Sequence, residues 1–276
     1  MKLQRVLADT AIKLSESGIE SAARDARILT AHALKIPVSD LSLKINEKVM
    51  ANIILELEKF ILRRIDREPV SRILGRREFW GRTFYINKKV LDPRGDTETL
   101  IDFVIEKPVK SVLELGTGSG VIAVTLACEW REVIVTATDV SQDALALAEV
   151  NAAKFNVENK IQFIKSDWFN NVEGMYDLII SNPPYIGWNE QDKISTEVSN
   201  YDPEIALFAG YDGFDAYRSM IPNLTKFLNP DGFVVLEIGA SQSRQVKDIL
   251  NSYDFFDVEI IKDLSGKDRV IVAKLA

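Results

Sequence analysis

Apolar residues recur at three- and four-residue steps over positions 6–17, 22–34 and roughly 47–67, so the first part of the chain reads as amphipathic helices, with Gly18 and Pro37 marking breaks. The pattern then changes. Residues 82–90 (RTFYINKKV) are alternating or β-rich, which predicts a short hairpin. From Pro93 onward, short apolar runs alternate with helical stretches. Strands are predicted at 110–115, 133–138, 160–165, 176–180 and 232–238, with a closing antiparallel pair at 258–263 and 269–275. Helices are predicted at 121–129, 141–155, 214–228 and 242–251. Seven strands interleaved with helices predict an α/β fold with one doubly wound, Rossmann-like sheet. The expected organisation is a small helical domain at 1–75, a β-hairpin linker at 76–92 and the sheet domain at 93–276. Residues 186–211 are polar and aperiodic, which suggests a lid or substrate loop. Neither an internal repeat nor a low-complexity segment is present.

Length and composition suit two domains: 276 residues with 46% hydrophobic content can bury a large core. The charge is uneven. Residues 1–75 carry 13 basic and 10 acidic side chains, against 21 and 31 in the remainder. With a net charge of −7, bulk attraction to nucleic acid is weak, so direct nucleic-acid binding is not expected. Arg63, Arg64, Arg67, Arg72, Arg76 and Arg77 form the densest basic group, read first as a solvated helix face and alternatively as a docking surface for a protein or the ribosome. Cys128 is alone, which excludes an internal disulfide, and its apolar neighbours predict a buried structural thiol. His32, also alone of its kind, has no partners at ligand spacing, so no metal is expected. The first nine residues hold charges where a signal peptide needs an apolar run, and no segment has transmembrane length, so a cytoplasmic protein is expected.

Candidate chemistry gathers at the predicted strand ends. After the first comes Gly116-Thr117-Gly118-Ser119-Gly120, a turn whose glycines let backbone approach a ligand and whose following helix offers free N–H groups to an anion. The dinucleotide fingerprint would place its third glycine at position 121, where this chain has Val, so NAD is disfavoured. Asp139 ends the second strand, where it can take both hydroxyls of a ribose or cap the next helix. Asp167 and Trp168 follow the third strand, suited to an adenine amine and its ring, although either aromatic of Trp168-Phe169 can equally be core, Phe169 the more so. The fourth strand delivers Asn182-Pro183-Pro184-Tyr185. A planar NH2 group can donate to the Asn182 oxygen and to the Pro183 carbonyl while the Tyr185 ring covers one face, with Pro184 fixing the turn. The plainer reading of this tetrapeptide is an ordinary Asn-Pro loop.

Taken together, GTGSG, Asp139, Asp167-Trp168 and NPPY resemble the class I S-adenosylmethionine-dependent methyltransferases, and more narrowly the HemK/PrmC family. Glu68-Pro69-Val70, Gly75, Glu78-Phe79-Trp80-Gly81 and Pro93-Arg94-Gly95-Asp96-Thr97-Glu98 match that family's interdomain segments, so the resemblance covers nearly the whole chain. One departure is Gly95, where the family usually has proline. The resemblance implies methylation of the side-chain amide of the glutamine in the Gly-Gly-Gln loop of peptide chain release factors, in the cytoplasm. S-adenosyl-L-methionine would be the donor and S-adenosyl-L-homocysteine the product. It assigns cofactor contacts to Gly116, Thr117, Gly118, Ser119, Gly120, Asp139, Asp167, Trp168 and Asn182. Substrate contacts fall to Asn182, Pro183, Pro184 and Tyr185, with Asn182, Pro183 and Tyr185 catalytic. Three alternatives stand beside it: an adenine-amine methyltransferase of DNA or RNA, a ribosomal-protein glutamine methyltransferase, and a non-catalytic cofactor-binding or ribosome-associated scaffold.

Overall fold

A computed structural model describes residues 1–275 of the chain. The chain divides into two units, Met1–Arg76 with Ser195–Tyr201, and Arg77–Ile194 with Asp202–Ala276.

The first unit is helical: α1 (Leu3–Glu16), α2 (Ala22–Leu34), α3 (Ala51–Ile65) and the short α4 (Val70–Leu74). Its core is the apolar stripe read from the sequence, with Leu3, Val6, Leu14, Leu29, Leu57 and Ile61 buried together. The arginine group is only partly a solvated face: Arg63 and Arg76 are exposed, while two others are buried. Arg64 is buried and its Nε donates to Asp25 at 2.8 Å, Arg72 is buried, and Arg63 donates twice to Glu68 at 2.6 Å. Arg67 donates to the carbonyls of Ser17 and Gly18, just past the end of α1, where helical carbonyls lack partners. Arg63, Arg64 and Arg67 thus each lie beside an acid or a helix end. His32 is half-buried and its ring packs on Phe60 at 5.3 Å. Residues 195–201 add a helical turn, Thr196–Tyr201, tied on by Glu197 to Arg64 at 3.5 Å and by Tyr201 Oη to the Asp66 carbonyl at 2.8 Å.

In the second unit, β1 (Arg76–Phe79) and β2 (Arg82–Tyr85) form the hairpin, earlier in the chain than its sequence suggested. Trp80 and Gly81 both take positive φ, the two-residue turn that fits strand twist, and a Trp in that conformation carries no sequence signal. The main elements follow: α5 (Glu98–Val104), β3 (Ser111–Leu115), α6 (Val121–Glu129), β4 (Ile134–Asp139), α7 (Gln142–Lys154), β5 (Ile161–Lys165) and β6 (Tyr176–Ser181). After α8, the Thr196–Tyr201 helix of the first unit, come α9 (Asp215–Leu224), β7 (Leu228–Glu237), α10 (Ser243–Asn251), β8 (Glu259–Lys262) and β9 (Asp268–Lys274). The seven strands form one sheet in the order β5-β4-β3-β6-β7-β9-β8, parallel except that β9 runs antiparallel to β7 and β8. Alternate residues feed two cores, Val112, Leu178 and Val235 on one face and Leu113, Ile179 and Val234 on the other, which is why these strands read as unbroken apolar runs.

Three further expectations change. Helix α9 stops at Leu224 rather than 228, with Pro222 inside its last turn, and Leu228 already belongs to β7. The stretch 186–211 is ordered into short helical turns, Trp188–Lys193, Thr196–Tyr201 and Glu204–Ala206. Cys128 is half-buried rather than fully buried, and burial raises its pKa. No helix is long and apolar enough to cross a membrane, and no group of His, Cys, Asp and Glu fit to hold a metal occurs, among the described residues.

Candidate active site

The strand order reverses between β3 and β6, where doubly wound sheets open a crevice beyond their carboxyl ends. Hydrogen bonds stitch the strand ends there. Ser181 Oγ donates to the Leu115 carbonyl at 2.6 Å, Thr138 Oγ1 to the Glu114 carbonyl at 3.1 Å, and Thr117 N to the Thr138 carbonyl at 2.8 Å. Above them lies a cavity of about 490 Å³. Its wall includes Gly116, Thr117, Gly118, Ser119, Asp139, Asp167, Trp168, Asn182 and Pro184.

Gly116 and Gly118 have positive φ, and a Cβ added to either would meet nothing within 4 Å, so backbone is open to a ligand there. Gly120 does a different job. It is off the cavity wall, and a Cβ on it would come within 3.0 Å of the Ala148 Cβ, so it lets α6 and α7 approach. Helix α7 is capped by Ser141, whose Oγ accepts from Ala144 N, leaving the cap role away from Asp139. Asp139 instead accepts from Gly118 N at 2.9 Å and Ser141 N at 2.8 Å, which aims its carboxylate at the wall. Burial raises its pKa against those backbone donors. Trp168 sits at φ 49°, held by Ser166 Oγ donating to its carbonyl at 2.8 Å, while Phe169 is core, stacked on Phe227.

On the NPPY side, Asn182 Nδ2 donates to Thr97 Oγ1 at 3.1 Å. Neither Asn182 Oδ1 nor the Pro183 carbonyl has a protein partner among the described residues. Pro183 is buried and Tyr185 half-buried, and both lie off the cavity wall. Tyr185 is anchored from behind, its hydroxyl donating to Glu237 Oε1 at 3.2 Å and its carbonyl accepting from Gln242 Nε2 at 2.9 Å. Burial and the facing Glu237 push the Tyr185 phenol far above its ordinary pKa, so it stays a donor. Beyond Tyr185 the chain pairs Ile186 with Phe208, and Pro203, Ile205, Phe208 and Gly210 return to line the cavity. Gly95 opens a short turn, and a Cβ there would meet nothing within 4 Å, so proline's absence leaves no steric mark.

Three residues escaped the sequence reading. Glu114 is 1% exposed; its Oε2 accepts from Thr117 Oγ1 at 2.7 Å and Ala123 N at 3.1 Å, while Oε1, equally buried, has no partner. Burial pushes its pKa up to about 7. Glu237, also 1% exposed and pushed up to about 7 by burial, has an unpartnered Oε2, and Thr97 lies beside it. The available signal was an acid near the end of an otherwise apolar strand, in VLEL and again in VVLEI.

The sheet order and this crevice are those of a class I methyltransferase. The catalytic domain of hMettl16, solved with an RNA hairpin, superposes with a TM-score of 0.58 at 16% identity over 81% of this chain and 82% of that one. A ribosomal protein L11 methylase from Lactobacillus delbrueckii subsp. bulgaricus gives 0.50 at 23% identity, over 72% and 89%. Residues 88–199 match the methyltransferase small domain and residues 5–75 the PrmC N-terminal domain. A release factor glutamine methyltransferase of Cereibacter sphaeroides is 41% identical over 95% of both chains, and one of Agrobacterium fabrum 36% identical over 94% of this chain and 92% of that one. The chain belongs to the release factor glutamine methyltransferase family. A bifunctional methyltransferase of Rickettsia conorii is 39% identical over 98% of this chain, which spans 57% of that longer protein.

Proposed function

We propose that this protein transfers a methyl group from S-adenosyl-L-methionine to the side-chain amide nitrogen of the glutamine in the Gly-Gly-Gln loop of peptide chain release factors, in the cytoplasm. The observation that carries this reading is Asn182, with its Oδ1 unpartnered, on the wall of a cavity lined by the glycine turn, followed directly in the chain by the unpartnered Pro183 carbonyl. Its family membership supports the same substrate.

The donor set fits the nucleoside. Asp139 suits the ribose hydroxyls, Asp167 with Trp168 the adenine, and the N–H groups of the glycine turn the carboxylate of the amino-acid tail. The buried, unpartnered Glu114 Oε1 suits its ammonium, since an orphaned acceptor there is costly without a cation or donor. The donor supplies a methyl carbon on a positively charged sulfur. The protein's task is the acceptor. An amide nitrogen is a weak nucleophile because its lone pair is delocalised into the carbonyl. Donation of its two hydrogens to Asn182 Oδ1 and the Pro183 carbonyl raises density on nitrogen, fixes its orientation and stabilises the positive charge that develops. Such preorganised contacts supply several kcal/mol of barrier reduction, on the order of the effect of an oxyanion-hole donor. The amide proton becomes acidic only after the N–C bond forms, so it leaves to water without a strong base. Pro184 holds the turn and Tyr185 is tethered behind it. The helical unit is assigned to docking the folded factor, free or on the ribosome.

The test is to offer labelled methyl donor with release factor, a Gly-Gly-Gln peptide, ribosomal protein, tRNA and DNA separately. Label is expected in the glutamine of the factor; label in adenine or in ribosomal protein would replace this reading. Asn182→Ala is expected to keep donor affinity and lose most turnover, and unchanged turnover would count decisively against it.

A further inference from the structure

We infer that Thr97 and Glu237 are positioning residues that fix which end of the Asn182 carboxamide faces the cavity. This deepens the reading of Asn182 given above and rests on it for the catalytic consequence. A carboxamide turned by half a rotation exchanges its acceptor for a donor, and only the oxygen can receive a substrate NH2. Asn182 Nδ2 meets Thr97 Oγ1, but a threonine hydroxyl both donates and accepts, so this contact alone does not choose the orientation.

The choice comes from one step further back. Thr97 is 2% exposed, so its hydroxyl hydrogen has no bulk water to turn to. It accepts from Asn182, and the Glu237 carboxyl lies next to it. Glu237 is itself buried, its Oε1 taken by Tyr185 and its Oε2 without a partner of its own. An ionised carboxyl only accepts, so it draws the Thr97 hydrogen toward itself and leaves the Thr97 lone pairs toward Asn182. The turned amide would then set oxygen against oxygen. The same carboxyl holds both ends of the tetrapeptide, Asn182 through Thr97 and Tyr185 directly.

The groups that face Glu237 are few. Arg269 favours its ionised form and is held by Asp96 at 3.0 Å and Asp263 at 3.1 Å, Asp96 opposes it, and Tyr217 donates from its hydroxyl to the Glu237 backbone carbonyl at 2.8 Å. Protonation of Glu237 turns it into a donor, which frees the Thr97 hydrogen to point at Asn182 and removes the preference for one orientation.

The test reads the relay without substrate. In protein carrying 13C in Glu237 and 15N in the Asn182 side chain, both signals are expected to move with pH at one shared midpoint. Thr97→Val should move the Glu237 titration upward, since the Thr97 hydroxyl favours the ionised form, and abolish the response of Asn182, and Glu237→Gln should abolish that response too. An Asn182 signal that ignores Glu237 protonation, or one that still follows it in Thr97→Val, overturns the inference whatever the acceptor proves to be. In turnover, Thr97→Val is expected to lower kcat by about tenfold or more with donor affinity unchanged, and Thr97→Ser to recover most of it. Equal losses in the two variants would also overturn it.

Discussion

Glu114 shows how much a single side chain sets the working range of the molecule. Its folded pKa of about 7 lies above the ordinary carboxylate value because burial penalises the charge, despite the Thr117 and Ala123 donors. A raised folded pKa means that its contribution to stability is fully present below about pH 4.5 and is lost as pH rises through about 7. Glu114→Gln should therefore gain on the parent by on the order of 3 kcal/mol between pH 4.5 and 8, measured by urea unfolding at both ends. A difference that does not vary with pH would contradict this. Gly116, Asp139, Asp167 and Asn182, which the sequence placed at strand ends, all line the cavity, because the carboxyl ends of neighbouring parallel strands meet there. Thr97 and Glu237 were not legible in the sequence, because their partners lie 85 and 52 residues away, and no local pattern encodes such a pairing.

Among elements, the glycine turn divides its labour in a way that substitution can expose. Gly120→Ala forces a Cβ against the Ala148 Cβ at 3.0 Å and backbone at 3.2 Å at a positive φ, and is expected to cost about 2–4 kcal/mol. Gly118→Ala meets open space, so only the backbone conformation opposes it, at about 1–2 kcal/mol. Denaturant midpoints should rank them in that order, with the loss of donor binding greater for Gly118→Ala once stability is allowed for. The strands β3, β4 and β6 were legible because helices cover both faces and most of their positions are buried. The β-rich run at 82–90 missed the first strand of the hairpin because the turn depends on Trp80 at φ 49°, a conformation that bulky residues rarely take. The turns within 186–211 were missed because partners such as Arg64 and Asp66, far off in the chain, hold them.

At the scale of the whole molecule, the first 75 residues also expose large apolar side chains. Leu55 and Leu62, 66% and 64% exposed, lie seven residues apart on one face of α3. If the helical unit docks the factor, Leu55→Asp with Leu62→Asp should depress methylation of full-length factor and spare a Gly-Gly-Gln peptide, read as the ratio of the two kcat/KM values. Equal losses would remove docking from that face.

Because Ser195–Tyr201 belongs to the first unit while its flanks belong to the second, the backbone passes between the units three times. A protease nick at any one passage thus yields two fragments that still share the packing of at least one unit. Such fragments should migrate together through a native sizing column and part only in denaturant, so intact elution is no proof of an intact chain.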